Sequence, residues 1–203
     1  IDKYEEVIQL LTDKHNNKQK IMVVCFRNLP IFQIAFELMK NGIWVFLPNK
    51  VIQMIKNMQT KIYFDLYKPI NKDITCLHEL KSLATQFYKN GEEKNDEMID
   101  IIDAIINICF IMGVDKVKSG KELTQLIDTF LQGVKPNAFI ELSTIHCAKG
   151  LESDEVLFLK MEMPKRYTKS WEKEQFYNLQ YVAITRAKHT LYEHDFIYKS
   201  KSN

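Results

Sequence analysis

Short apolar runs alternate with amphipathic segments in the first 50 residues of the chain. Residues 1–14 carry apolar side chains at close to helical spacing, which predicts a first helix. Ile21 to Phe26 is a short apolar run rich in β-branched residues, which is typical of a buried parallel strand. Pro30 suits the first turn of a second helix that ends at Asn41-Gly42, and Ile43 to Leu47 predicts a second strand. This order indicates a β-α-β unit.

The middle of the chain has a different pattern. Between Pro48 and Pro136 the apolar residues recur at helical spacing, and strand patterns return afterwards around one further helix. We therefore expect one α/β domain formed by residues 1–49 and 137–203, with a sheet covered by helices on both faces, and a helical insertion at residues 50–136. The candidate helices of the insertion are Val51 to Met58, Leu77 to Tyr88, Glu97 to Met112 and Leu123 to Leu131. The later candidates are strands at Ala138 to Ser143, Val156 to Leu159 and Thr190 to Phe196, and a helix at Trp171 to Lys188.

The composition excludes some classes of protein but does not indicate a function. The 203 residues, 46% of them hydrophobic and 27% charged, are enough to bury a sizeable core. No apolar run reaches the ~20 residues of a membrane helix and the amino terminus has no secretion signal, so we expect an intracellular protein. The net charge of +2 does not by itself indicate nucleic-acid binding. The histidines lack metal-ligand spacing, and the distant cysteines predict reduced thiols and no metal site. These cysteines are Cys25, Cys76, Cys109 and Cys147.

The most informative segment is Ser143 to Glu152, which reads Ser-Thr-Ile-His-Cys-Ala-Lys-Gly-Leu-Glu. It follows one predicted strand and leads into another, so we expect its polar groups in a loop at the sheet edge where α/β proteins bind ligands. The segment resembles motif V of the UvrD/Rep-type superfamily 1 DNA helicases, Thr-x-His-x-Ala-Lys-Gly-Leu-Glu followed by an apolar strand. Ser153-Asp154 departs from the aromatic residue that the family commonly has next.

A second segment, Leu179 to Lys188, resembles motif VI of the same family and reads Leu-Gln-Tyr-Val-Ala-Ile-Thr-Arg-Ala-Lys. The resemblance implies that Arg186 is an arginine finger, which reaches the γ-phosphate of an ATP molecule bound mainly by the preceding domain. A fixed guanidinium neutralises charge that spreads over the phosphoryl oxygens, and it raises the rate by ~10³ to 10⁵ in other nucleotidases. Lysine is a poorer substitute because it lacks the planar fork of donors.

A third, shorter match is Val23 to Asn28, where a predicted strand delivers an arginine into the following loop, as in motif IV. The resemblance implies that Arg27 also contacts the γ-phosphate and that Phe26 packs near the nucleotide base. Asn28 follows the arginine directly, whereas the family usually has Thr-Asn.

The three motifs occur in the family's order. The resemblance covers about residues 20–50 and 137–197 and implies a RecA-like three-layer α/β fold with a parallel sheet and a reduced helical insertion.

Within motif V the resemblance implies two kinds of contact. Gly150 and Glu152 lie at the nucleotide, and the Glu152 carboxylate accepts a hydrogen bond from a ribose hydroxyl. Thr144 and His146 touch the backbone of single-stranded DNA, and Lys149 either touches a DNA phosphate or braces the loop. Each residue also has a purely structural alternative, since a lone charged residue is usually a surface charge and Thr144 and His146 can cap and pack the loop.

A phosphate-binding loop is missing from this sequence. Such a loop needs Gly-x-x-x-x-Gly-Lys followed by Ser or Thr. The nearest approach, Gly113 to Glu122, has the wrong spacing and a carboxylate in place of the hydroxyl. Asp154-Glu155 precedes a predicted strand and so does not fit a magnesium-binding pair. We therefore expect ATP and Mg²⁺ to be held mainly by an N-terminal RecA-like domain of the same protein, and this chain alone to be inactive.

Two hypotheses of function follow from these patterns. The first is the C-terminal motor domain of an ATP-dependent DNA helicase or translocase, whose partners are single-stranded DNA and the N-terminal domain; the resemblance implies 3′ to 5′ movement. The second is a catalytically inactive RecA-like domain that docks onto a replication or repair protein. A phosphate-binding loop encoded upstream of Ile1 separates the two. An unrelated α/β phosphate-binding fold is disfavoured by two long motifs in the family's order.

Overall fold

The computed structural model describes residues 3–62, 82, 106, 109, 120–164 and 167–195. Within these ranges the chain forms helices on both sides of a parallel sheet. The helices are α1 (Lys3–Asn16), α2 (Asn28–Lys40), α3 (Asn49–Ile62), α4 (Gly120–Gln132) and α5 (Ser170–Ile184). The strands are β1 (Ile21–Cys25), β2 (Val45–Phe46), β3 (Ile140–Thr144), β4 (Ser153–Lys160) and β5 (Ala187–Asp195).

The five strands form one sheet in the order β2-β3-β1-β4-β5, and every neighbouring pair is parallel. The first strand, β1, is central: Cys25 lies opposite Thr144 of β3 and Leu159 of β4. Because the strands are parallel, all their carboxyl ends lie at one edge, here called the carboxyl edge, and all their amino ends at the opposite amino edge. This is the α/β three-layer arrangement of a RecA-like domain.

The alternation of side chains along β1 divides the core into two clusters. Ile21, Val23 and Cys25 point into a first cluster, together with buried residues of α1, α2, α3 and α4. Met22 and Val24 point to the other face, into a second cluster that α5 covers. The fully buried pattern of β1 therefore reflects helices packed on both faces of the sheet, as the continuous apolar run predicts.

The two helices at the ends of the predicted insertion pack on the sheet domain. Val51 and Ile55 of α3, and Ile127 and Phe130 of α4, are buried in the first cluster. Both helices thus belong to the same core as the strands. The candidate helices at 77–88 and 97–112 lie outside the described ranges apart from single residues.

Several element boundaries differ from the predictions; for example, β4 begins at Ser153 rather than Val156, and β5 begins at Ala187 rather than Thr190. The last helix ends at Ile184 rather than Lys188, because the Thr185 and Arg186 amides bond back to Tyr181 and Ala183 and the chain then pairs with β4. The edge strand β2 is shorter than predicted: it pairs with β3, and on its other side Val45 forms an isolated bridge to Val134. In the described part of the chain no helix is long and apolar enough to cross a bilayer.

Candidate functional site

The motif V segment connects the two edges of the sheet. Thr144 ends β3 at the carboxyl edge, whereas Ser153 begins β4 at the amino edge, where it lies opposite Ala187. The connecting residues 145–152 therefore cross the second face of the sheet. The prediction that all polar groups of this segment lie at one edge is wrong, because β4 is parallel to β3 and the chain must return to the amino edge to begin it.

The length of this crossing follows from the strand register. Leu159, the β4 partner of Cys25 at the carboxyl edge, is six residues after Ser153. At a rise of about 3.3 Å per residue, the carboxyl and amino edges are roughly 20 Å apart. One short segment thus spans the depth of the sheet.

Turns and burial fix the path of the segment. The Ile145 amide donates to the Cys25 carbonyl at 2.9 Å, and the Ala148 amide donates to the Thr144 carbonyl at 2.9 Å. Ile145 and Ala148 are buried in the second cluster. Gly150 has a φ of +84°, which an L side chain rarely adopts, although an added Cβ would meet no atom within 4 Å. The backbone conformation, not a lack of space, therefore calls for glycine at this position.

At the carboxyl edge the segment presents His146. The His146 side chain is exposed, whereas Thr144 is only 5% exposed. The Cys147 amide donates to Thr144 Oγ1 at 3.4 Å, a long contact that favours the capping alternative for this hydroxyl. Of the three predicted DNA contacts, His146 and Lys149 are exposed and Thr144 is buried.

At the amino edge Arg186 ties the end of α5 to the end of the motif V segment. Its Nη1 donates to the Leu151 carbonyl at 3.0 Å and its Nε to the Val182 carbonyl at 3.0 Å. Its Nη2 donates to Thr185 Oγ1 at 3.2 Å, and its own carbonyl accepts from the Ser153 amide at 3.0 Å. The guanidinium is therefore held by fixed acceptors from motifs V and VI.

Glu152 lies in the same cluster. Its carboxylate is 3.6 Å from Lys188 Nζ, and both side chains are about half exposed. The structure thus brings together Gly150, Glu152 and Arg186, three of the residues predicted to contact the nucleotide. The sequence pattern did not indicate Lys188, although its position two residues after Arg186 within motif VI was the available signal.

The structure does not bring Arg27 and Phe26 to this cluster. Arg27 follows β1 at the carboxyl edge and is the N-cap residue of α2. The Phe26 ring stacks on Phe176 of α5 with centroids 4.5 Å apart, and it lies 6.5 Å from the ring of Phe158. Phe26 is therefore part of the second cluster, and the two arginines predicted to share a γ-phosphate lie at opposite edges of the sheet.

The neighbouring carboxylates are engaged in ion pairs. Asp154 and Glu155 lie within β4, so the prediction that this pair precedes the strand is wrong. The Glu155 carboxylate is 2.5 Å from Lys14 Nζ of α1, and this hydrogen bond raises the pKa of the lysine. Asp154 lies 3.8 Å from the exposed His189. The Lys14–Glu155 pair fastens α1 to β4.

Comparison with known proteins gives one family match. The family model of the UvrD-like helicase C-terminal domain matches residues 1–196, which include all five strands and the three motif segments. Among curated proteins no match was found.

Proposed function

Since the chain belongs to the UvrD-like helicase C-terminal domain family, we propose that it is the C-terminal motor domain of an ATP-dependent DNA helicase or translocase. An N-terminal RecA-like domain of the same protein holds most of the ATP and its Mg²⁺, and this chain supplies the opposite wall of the site. The observation that carries the proposal is the path of residues 145–152, which join the carboxyl edge of the sheet, at His146, to the amino edge, at Glu152 and Arg186.

The nucleotide-facing wall is the amino-edge cluster. Arg186 is the arginine finger, because its planar fork already lies in a fixed position and can exchange carbonyl acceptors for phosphoryl oxygens. Glu152, half exposed beside it, accepts from the ribose hydroxyl, and Gly150 sets the turn that places Glu152. We assign the γ-phosphate to Arg186 alone, since Arg27 lies beyond Cys25 at the other edge, more than roughly 20 Å along the strands.

The DNA-facing wall is the carboxyl edge. His146 contacts the backbone of single-stranded DNA, and Thr144 holds the turn beneath it through its hydroxyl. Lys149 is exposed, which favours contact with a DNA phosphate over bracing of the loop. Arg27, at the same edge, is closer to this wall than to the nucleotide cluster.

Coupling between the walls follows from the shared segment. When the two domains close on ATP, Arg186 leaves the Leu151 carbonyl for the phosphate, and the end of residues 145–152 is free to shift. Because Ile145 and Ala148 are buried against the sheet, a shift at one end alters the position of His146 at the other. Hydrolysis restores the first arrangement, and repeated cycles move the protein along the strand; the 3′ to 5′ direction is a prediction from the family.

The test is the DNA-stimulated ATPase activity of the complete protein with Arg186 replaced. Arg186→Ala should lower kcat about 10³-fold or more, and Arg186→Lys should restore only a small part. Arg27→Ala is the matched comparison: it should leave kcat at saturating DNA within a few-fold and raise the DNA concentration needed for half-maximal stimulation. Circular dichroism and a thermal melt check that each variant is folded.

Unchanged turnover in Arg186→Ala would remove the arginine-finger assignment. A loss of kcat in Arg27→Ala equal to that in Arg186→Ala would show that both arginines serve the phosphate. A complete wild-type protein without ATPase activity would favour the docking-domain alternative.

A further inference from the structure

The first turn of α5 extends beyond the carboxyl edge of the sheet. This helix ends just before Arg186 at the amino edge, so it runs antiparallel to the strands. Phe176 stacks on Phe26, which directly follows β1 at the carboxyl edge. Trp171 is five residues earlier in the helix, about 7.5 Å further along its axis. Trp171 therefore lies above the same edge as His146 and Arg27.

Trp171 is a large aromatic side chain that the fold leaves uncovered. A tryptophan that packs in the core stabilises the fold by burying its ring. Trp171 does not pack in this way, since it is 58% exposed. The Lys169 ammonium lies 5.9 Å from the centre of its ring. The backbone of this turn is fixed, since the Lys169 amide donates to the Glu172 carboxylate at 2.9 Å in a capping interaction. An ordered turn thus presents an exposed aromatic ring with a cation over one of its faces.

We propose that Trp171 is a stacking platform for one base of the single-stranded DNA that passes His146, and that Lys169 contacts the adjoining phosphate. This inference rests on the proposed function and adds a second contact point to it. Proteins that bind single strands combine aromatic rings, on which bases stack, with positive charges that follow the backbone. An exposed ring with a lysine beside it, at the DNA-facing edge, has both parts.

The other exposed aromatic residues of α5 do not share this position. Tyr177 is 60% exposed and Tyr181 is 68% exposed, but both follow Phe176 and so lie nearer the amino edge than Trp171 does. Tyr177 matches Trp171 in exposure and in helix, but it lies six residues later, about 9 Å further along the axis and on a face of the helix roughly 120° away. It is therefore the control residue.

The experiment uses the complete protein and an oligothymidine strand, unlabelled or carrying single 5-iodouracil substitutions. Trp171→Ala should weaken binding about 5- to 100-fold, the range expected for one stacked base, whereas Trp171→Phe should retain most of the affinity. Lys169→Ala should lower the slope of log affinity against log salt concentration by about 0.7. Tyr177→Ala should leave both quantities unchanged. Ultraviolet crosslinking of the iodinated strand should label the tryptic peptide Ser170–Lys173.

Two results overturn the inference. In the first, the wild-type protein binds the strand, but Trp171→Ala has unchanged affinity and no crosslink forms in Ser170–Lys173. Trp171 is then not a stacking platform, and the proposed function is unaffected. In the second, the wild-type protein does not bind single-stranded DNA at all, which contradicts both this inference and the proposed function. Because Trp171 is exposed, its replacement should not alter the thermal midpoint, and equal midpoints exclude misfolding as the cause of weaker binding.

Discussion

At the scale of single residues, Arg186 is held in place by hydrogen bonds within the domain. Three of its nitrogens donate to fixed oxygen atoms, two of which are backbone carbonyls. A guanidinium restrained in this way loses little further conformational freedom when it moves to a phosphoryl group. Lysine has one nitrogen and cannot make the three contacts, so Arg186→Lys keeps the charge and loses the positioning.

Glu141 shows the opposite situation, a carboxylate whose ionisation the fold opposes. It lies in β3 between the buried Ile140 and Leu142, and burial raises its pKa while the charge of Lys20 partly offsets that rise. The folded state therefore binds this proton more tightly than the unfolded chain does. The free energy of unfolding should fall as pH rises from about 4.3, the ordinary glutamate pKa, through the raised folded value.

Glu141→Gln removes this ionisation and should increase the free energy of unfolding at pH 7. The gain should disappear well below pH 4.3, where the carboxyl is protonated in both states. Denaturant titrations of wild type and variant from pH 3 to pH 7 measure the difference, with the exposed Glu162→Gln as control. A difference that does not change with pH would show that burial of the charge is not its cause.

At the scale of elements, apolar runs predicted the central strands well. The runs at Ile21 and Val156 became β1 and β4, because strands covered on both faces have consecutive buried residues. The local sequence pattern predicted the wrong element where hydrogen bonding to a neighbouring strand determines the secondary structure. Ala187 and Lys188 continue a helical pattern, yet they belong to β5, because Ala187 pairs with Ser153 of β4 and the pairing resumes, after a register shift, at Thr190. The return of motif V to the amino edge follows from the parallel sheet that the resemblance implies, whereas the strand that it passes, β1, depends on the strand order, which no local pattern specifies.

The sequence predicted some residues of the candidate site but not their arrangement. The resemblance selected Glu152 and Arg186, and the structure places them in one cluster at the amino edge. It also selected Arg27, but the distance between the two arginines depends on strand order and register, which no local motif specifies. The sequence pattern did not indicate Trp171 as a site residue either, because an aromatic residue at the start of a helix is ordinarily part of the core.

Gly150→Ala should uncouple DNA binding from hydrolysis, and Gly42→Ala is its matched control. Both glycines have positive φ, +84° and +77°, and neither has an atom within 4 Å of an added Cβ. Each substitution should therefore cost about 1 to 2 kcal/mol of stability through backbone strain alone. Only Gly150 lies in the segment that joins His146 to Glu152, so only its variant should lose DNA stimulation of the ATPase.

The measurements are denaturant melts and ATPase assays with and without single-stranded DNA. Normal stimulation in Gly150→Ala would argue against transmission through residues 145–152. An equal loss in Gly42→Ala would attribute the effect to general destabilisation.

At the scale of the whole molecule, the sheet separates the two groups of candidate site residues. Its amino edge carries the Arg186 cluster and its carboxyl edge carries His146, roughly 20 Å away by strand register. The two clusters of buried side chains on either face hold the strands between these edges in a fixed arrangement. Under the proposed function, a rearrangement at one edge would reach the other as a movement of these packed segments.

The central claim is that this chain is one wall of a divided, DNA-responsive ATP site. The most direct measurement is the rate of ATP hydrolysis by the complete protein with and without single-stranded DNA, beside the isolated 203-residue chain. We predict strong stimulation by DNA in the complete protein and no hydrolysis above background by the isolated chain. Hydrolysis by the isolated chain, or a complete protein whose rate does not respond to DNA, would contradict the claim.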